Sequence, residues 1–140
     1  WVHQDWSWKQ TPFLKQGQDV KALVHLSPAN NFKTLKTAQV FAHPYIAGKL
    51  SIMLVGGRSE SDIKQLYNKF KAKHAPVPED EKERVKHQDL FYFLEDTDLR
   101  GAGLLGPELQ VSRNILQFID LRIVQKSDDF TWQSRERKTD

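Results

Sequence analysis

Residues 50–70 read LSIMLVGGRSESDIKQLYNKF and contain the sharpest change of pattern in the chain. The apolar run 50–55 has the composition of a central strand, and Gly56 and Gly57 end it. A charged segment follows, in which apolar residues recur at the i, i+3, i+4 and i+7 spacing of one helix face: Ile63, Leu66, Tyr67 and Phe70. Acids stand at its start and bases at its end, as the helix dipole favours. The stretch predicts a buried strand that passes through two glycines into an amphipathic helix over 60–74.

Toward the N-terminus, two further strands are predicted. Apolar residues alternate with other residues over 20–27, which predicts a strand that ends at Pro28. A second strand is predicted across 37–45, where Pro44 confines that end to a sheet edge or to the strand terminus.

Toward the C-terminus, Pro76 and Pro78 end the helix. The charged segment 79–88, EDEKERVKHQ, predicts a short solvated helix or an exposed loop. Residues 90–94, LFYFL, predict a buried strand. Over 114–126 four apolar residues share one parity, which predicts a last strand: Ile115, Ile119, Leu121 and Ile123.

These segments give a fold class of α+β. We expect a mixed or mainly antiparallel sheet of about five strands with one main amphipathic helix on a face. A β-sandwich with an inserted helix is the alternative. The order of elements lacks the regular alternation of strand and helix that a doubly wound fold requires.

The domain organisation follows from length and composition. A chain of 140 residues with 39% hydrophobic residues, including Trp 4, Tyr 3 and Phe 8, supplies enough apolar surface for a folded core. We expect a single α+β domain over 18–126, preceded by an aromatic arm over 1–17 and followed by a polar tail over 127–140.

Composition also excludes several classes of function. The 21 Lys and Arg against 18 Asp and Glu give a net charge of +3, and acids interleave with bases, unlike a dedicated nucleic-acid binder. The absence of cysteine excludes disulfides, thiolate catalysis and Cys-ligated metals. No apolar run approaches the roughly 18 residues of a membrane span, and no signal-peptide pattern opens the chain. Because the chain begins at Trp1, we expect a processed chain or an excised domain, in a compartment that the sequence leaves unknown.

The junction after the central strand is the candidate anion site, formed by Gly56, Gly57, Arg58 and Ser59. A strand followed by glycines and a helix N-terminus offers unpaired N–H groups and positive dipole. The junction lacks the lysine and the length of a P-loop. Glu60 and Asp62 can also satisfy the same donors, so the sequence favours a structural turn, with a bound anion as the alternative.

Other motifs in the sequence lack the surrounding residues that their usual functions require. Residues 101–106, GAGLLG, match a dinucleotide-binding pattern, but the following residues leave no room for its crossover helix. The acidic cluster of Glu95, Asp96 and Asp98 lacks the spacing of a calcium loop. The histidines show no metal-ligand spacing, and no serine hydrolase motif is present. The sequence therefore predicts no metal, no cofactor and no catalytic residue.

Two sets of residues are candidates for an interaction surface. Trp1, Trp6 and Trp8 lie in the N-terminal arm and offer aromatic contact area. The helix over 60–74 carries a basic face: Lys64, Lys69, Lys71 and Lys73. Each set has an ordinary interpretation as well, the tryptophans as edge packing and the lysines as a solvated face.

We therefore expect a non-catalytic protein-interaction module, such as a domain of a larger or membrane-anchored assembly protein, with a protein partner. One alternative is a small anion- or nucleotide-binding α/β-like domain that uses the 56–59 junction. The other is weak, nonspecific nucleic-acid binding through the basic helix.

Overall fold

The computed structural model of the chain describes residues 20–32, 35–37, 39, 46, 50–74 and 76–126. Its strands are β1 (Ala22–Leu26), β2 (Asn31–Phe32), β3 (Leu35–Lys36), β4 (Ser51–Gly57) and β5 (Leu90–Glu95). Its helices are α1 (Ser61–Lys71), α2 (Glu81–His87), a 3-10 helix (Gly101–Leu105) and α3 (Val111–Ile119), which continues as a π-helical turn (Asp120–Val124).

Three strands form one parallel sheet in the order β1-β4-β5. Ala22 pairs with Ser51 at one end of the β1–β4 ladder and Leu26 with Val55 at the other. Parallel neighbours need a crossover connection, and α1 and α2 lie in the crossover from β4 to β5. β2 and β3 form a separate two-stranded antiparallel pair.

The expected fold class is therefore wrong. The described residues form an α/β arrangement with a three-stranded parallel sheet, in place of an antiparallel five-stranded sheet or a β-sandwich. The strand predicted over 114–126 is helical, and so are Thr37 and Gln39 within the strand predicted over 37–45. The rest of 37–45, apart from these two residues, lies outside the described residues. With these segments removed from the strand count, helices separate the strands of a parallel sheet.

The parity over 114–126 misled because α3 carries apolar residues on more than one face. Its buried side has helical spacing, with Val111 and Phe118 seven residues apart and Ile115 partly buried between them. Leu116 remains 67% exposed, and Ile119 and Val124 are also exposed. Because α3 has apolar residues on both its buried and its exposed sides, their spacing does not distinguish a helix of period 3.6 from a strand of period 2.

One core lies between the sheet and α1. It contains Leu54 of the central strand, packed with Ile63, Leu66 and Phe70 of the helix. Each fully buried apolar side chain of this kind contributes roughly 1.5–3 kcal/mol relative to an exposed one. The predicted central strand and amphipathic helix are both confirmed.

A second core lies on the other face of the sheet, between Met53 and Val55 of β4 and the buried side of α3. Leu104 of the 3-10 helix joins this core and is fully buried. The GAGLLG stretch thus forms a helical turn that anchors in the core.

Other local expectations are confirmed in part. β1 and β5 are strands, and the charged segment 79–88 contains the short helix α2, which has no buried residue. The burial expected for the strand over 90–94 is wrong, since Leu90 is buried but Tyr92 and Leu94 are exposed. The proposed arm over 1–17 and tail over 127–140 lie outside the described residues, and the boundaries of the 18–126 domain stay predictions.

Candidate functional site

The predicted anion site lies at the carboxyl end of the parallel sheet. Gly56 and Gly57 are the last residues of β4, and α1 begins at Ser61. Open parallel sheets commonly bind ligands outside the carboxyl ends of their strands. This position makes the junction the first place to examine for a ligand.

Close packing explains the glycine pair. A Cβ atom on Gly56 would lie 1.8 Å from Ile63 Cδ1, within the α1 core. A Cβ atom on Gly57 would lie 2.5 Å from the carbonyl oxygen of Thr97 and 2.8 Å from that of Leu99. The glycines therefore let β4 approach α1 on one side and the loop after β5 on the other.

The Glu60 carboxylate accepts a hydrogen bond from one N–H group of the junction, that of Gly57. Its Oε2 accepts a hydrogen bond from the Gly57 N–H at 2.8 Å and another from Ser27 Oγ at 2.9 Å. Ser27 Oγ in turn accepts from the Gly101 N–H at 2.7 Å. The Glu60 side chain is only 11% exposed, and Arg100 Nε lies 3.9 Å from Oε1. One carboxylate of the chain thus joins the ends of β1 and β4 to the 3-10 helix.

The positive charge of Arg58 is also paired within the chain. Its guanidinium donates to Asp98 at 2.8 and 3.2 Å and to Asp96 at 3.1 Å. These bonds raise the pKa of Arg58, and hydrogen bonding to Arg58 lowers the pKa of Asp98. Two members of the acidic cluster therefore serve as partners of an arginine.

Ser59 is exposed and borders a shallow cavity of about 380 Å³ beside the junction. Glu60 and Asp62 line the same cavity, and Arg100 lines its other side. An anion in this cavity would meet two carboxylates and one guanidinium. The electrostatics oppose the anion site that the sequence left open.

A second concave region lies at the amino end of the sheet, between the end of α1 and α2. This region, the amino-end groove, has a volume of about 440 Å³. Its apolar lining includes Tyr67, Val77 and Leu90. Its basic lining comprises Lys71, Lys73, His74 and His87. The groove combines apolar and basic lining residues, and its volume is in the range typical of ligand sites.

The charges of the groove are only partly compensated. Asp89 is the one acid among its described lining residues, and it accepts a hydrogen bond from Ser51 Oγ at 2.7 Å and lies 3.8 Å from Lys126 Nζ. Within the described part of the chain, neither Lys71 nor Lys73 forms an ion pair. The groove therefore has a surplus of positive charge.

Aromatic rings extend this surface. The rings of Tyr67 and Tyr92 lie 4.5 Å apart between centroids, with planes tilted by 45°. Burial raises the pKa of Tyr67, and the neighbouring Tyr92 raises it further. An adjoining depression is lined by Tyr67 and by Arg84 and Gln88 of the α2 region.

The predicted interaction residues separate into three groups. Lys71 and Lys73 line the amino-end groove, whereas Lys69 donates to Asn30 Oδ1 at 3.3 Å and Lys64 is an exposed residue of α1. The tryptophan candidates, Trp1, Trp6 and Trp8, lie outside the described residues.

Sequence reasoning missed two residues of this region. Tyr67 was assigned only to the apolar stripe of α1, although its position one turn before Lys71 could have suggested a ring beside a cation. Arg122 fell within a predicted strand, and no local signal marked it as buried.

No helix in the part of the chain that the structure describes has the length and apolar character needed to cross a bilayer. Among the described residues, no group of three or more His, Asp or Glu side chains is arranged to hold a metal ion. Comparison of the chain with family models, with curated proteins and with solved structures gave no significant match. The function is therefore inferred from the geometry of this chain.

Proposed function

We propose that this protein is a non-catalytic interaction module that binds an acidic segment of a partner protein in the amino-end groove. One observation carries the proposal: the groove is lined both by apolar side chains, Tyr67, Val77 and Leu90 among them, and by two lysines that have no acidic partner among the described residues. Such a groove suits a segment with both acidic and apolar side chains.

Charge complementarity supports an acidic ligand. Lys71 is the last residue of α1 and Lys73 follows two residues later, so both lie near the negative end of the helix dipole. The dipole is equivalent to about half a charge, so Lys71 and Lys73 together exceed it. The Asp89 carboxylate, which opposes them, already interacts with Ser51 and Lys126.

The surroundings favour a protein segment over nucleic acid. The segment 79–83 carries four acids, Glu79, Asp80, Glu81 and Glu83, and Glu83 lies 3.3 Å from His87 of the groove lining. An extended phosphate backbone carries a negative charge at every nucleotide and would be repelled by acids beside the groove. A short peptide can place its acids on Lys71 and Lys73 and its apolar side chains elsewhere in the groove.

The carboxyl end of the sheet supports a non-catalytic role. Ser27, Glu60 and Arg58 are the groups there with catalytic potential, and all three bond to other groups of the chain.

Fluorescence anisotropy with a labelled short peptide rich in Asp, Glu and Phe tests the proposal. We expect binding that weakens with salt and persists in part at about 0.5 M, where the Debye length is only a few Å. The double variant Lys71→Glu, Lys73→Glu should lower affinity by about tenfold or more, because each reversal turns attraction into repulsion.

Lys64→Glu is the control for a single one of these charge reversals, at an exposed position of α1 outside the groove lining, and it is compared with Lys71→Glu alone as well as with the double variant. It should change affinity by less than about twofold. Equal losses in the control and the double variant would contradict the proposal. Tighter binding of an oligothymidylate than of the peptide would instead favour nucleic acid.

A further inference from the structure

Helix α2 borders the amino-end groove through His87 and makes few contacts with the rest of the protein. None of its residues is buried, and its contacts with the other described helices and strands are sparse. Its charged side chains pair within the helix, as Glu83 does with Lys86 at 3.0 Å and with His87 at 3.3 Å. Such pairs support a helix but do not attach it to the rest of the protein.

Two cavities border the C-terminal part of α2. The groove of about 440 Å³ is lined by His87, and a cleft of about 390 Å³ is lined by His87, by Val85 and Lys86, and by residues of the π-helical turn after α3. A helix end that borders open space has more room to shift than an element packed in a core.

Arg122 connects α2 to the body of the protein. Arg122 lies in the π-helical turn that follows α3, and its side chain is only 1% exposed. Its guanidinium donates to the carbonyl oxygen of Lys86 at 2.9 Å and also to that of Val85. Beneath it lies the Phe91 ring, 5.1 Å from Cζ to centroid.

The bonds to Val85 and Lys86 explain why a charged side chain is buried at this point. The last carbonyls of a helix lack partners within it and carry partial negative charge. The Arg122 guanidinium satisfies two of them and keeps its charge at any physiological pH. Asp89 Oδ1, at 4.0 Å, and the aromatic ring offset part of the remaining cost of burial.

We propose that Arg122 is a positioning residue that holds α2 as the outer wall of the groove, and that release of this contact lets α2 move and weakens ligand binding. The inference rests on the proposed function for its effect on binding. The attachment of α2 by Arg122 stands on geometry alone.

Amide hydrogen exchange of the full chain tests the attachment. The Gln88 amide donates to the Arg84 carbonyl at the end of α2, and the Ala72 amide donates to the Asn68 carbonyl at the end of α1. In Arg122→Gln, we expect exchange at Gln88 to rise about tenfold or more while exchange at Ala72 changes little. Arg122→Lys should show an intermediate increase, because an ammonium cannot bond both carbonyls in the same fork.

A matched control separates positioning from general loss of stability. Ile115→Val removes one methylene from the α3 core without touching α2, so it should leave the Gln88 amide unchanged. In the anisotropy assay, Arg122→Gln should weaken peptide binding about fivefold, with partial recovery in Arg122→Lys and none of the loss in Ile115→Val.

Unchanged exchange at Gln88 in folded Arg122→Gln would overturn the inference. If that variant does not fold, Arg122→Lys decides: faster exchange at Gln88 with unchanged exchange at Ala72 supports the inference, and unchanged exchange at both amides overturns it. If the wild-type protein binds no acidic peptide, the proposed function fails, whereas the exchange result still decides the role of Arg122.

Discussion

The two ends of the parallel sheet differ in how the chain uses its polar groups. At the carboxyl end, Glu60 receives the donors of Gly57 and Ser27, and Arg58 is paired with two aspartates. At the amino end, Lys71 and Lys73 border a groove and lack acidic partners among the described residues. The carboxyl end has the sequence pattern of a ligand site, but its Glu60 and Arg58 side chains are paired within the chain. The amino end has no motif, but its two lysines are available to a ligand.

The difference shows that a motif identifies donors but not whether they are available. A strand-to-helix junction attracts any anion, including a carboxylate of the chain itself. Here the Glu60 carboxylate binds the N–H group of Gly57, three residues earlier. Lysines at a helix C-terminus suit the dipole locally, yet they extend into solvent and can serve a second partner. Ligand sites are therefore better sought where charge is left over after the local pairs have formed.

The largest effect is expected at Gly57. Gly57→Ala places a methyl group against the backbone carbonyls of Thr97 and Leu99, neither of which can move without displacing the loop after β5. We expect a loss of about 3 kcal/mol in the free energy of unfolding, measured by urea denaturation. Gly103→Ala is the control, because its added Cβ would meet only the Leu99 side chain at 3.5 Å or more. Equal losses in the two variants would show that the close approach at Gly57 does not hold the junction.

A smaller loss is expected at Glu60. Glu60→Gln keeps the size of the side chain but replaces a charge-assisted acceptor of two hydrogen bonds with a neutral amide. The free energy of unfolding should fall by about 1–2 kcal/mol, since the bonds to a charged group are the stronger ones. Glu108→Gln makes the same change of side chain at an exposed position and is the control. An unchanged unfolding midpoint in Glu60→Gln would mean that this carboxylate does not join the strand ends.

Phosphate should have almost no effect on the wild-type protein. If Glu60 occupies the N–H group of Gly57, millimolar phosphate should raise the melting temperature by less than about 1 °C, because a ligand stabilises only in proportion to its binding. A clear rise that is abolished by Arg58→Glu would restore the anion site and would reverse the comparison between the two ends.

The smallest effect on stability is expected from Arg58. Hydrogen bonding to Arg58 lowers the pKa of Asp98, so the pair contributes above the pKa of the unfolded carboxyl and is lost as pH falls through the folded value. Both groups are exposed, so the contribution is small and salt-sensitive. In Arg58→Gln the pKa of Asp98, followed by NMR titration, should rise toward its ordinary value. Identical titration curves in both proteins would exclude the pairing in solution.

The parts of the fold that the sequence predicted are those with one clear period. β4 is uninterrupted and apolar, and α1 has a single buried stripe, so each could be assigned from its own residues. The fold class could not, because two segments predicted as strands contain helical residues, Thr37 and Gln39 in one and most of α3 in the other, and α3 carries apolar residues on both its buried and exposed sides.

The candidate site was predictable to a similar extent. Lys71 and Lys73 could be selected from the sequence as a basic face, and Glu60 as a competitor for the junction donors. The groove could not be predicted, because it forms where the end of α1 meets residues from 76 to 90. The role of Arg122 depends on a contact with residues more than thirty positions away, at Val85 and Lys86.

NMR chemical-shift mapping with the acidic peptide tests the central claim most directly, since it compares both ends of the sheet in one experiment. We predict that the amides of Tyr67, Lys71, Lys73 and His87 shift on titration, whereas those of Gly57 and Ser59 do not. Shifts concentrated at the 56–60 junction, with the amino-end groove unaffected, would contradict the account.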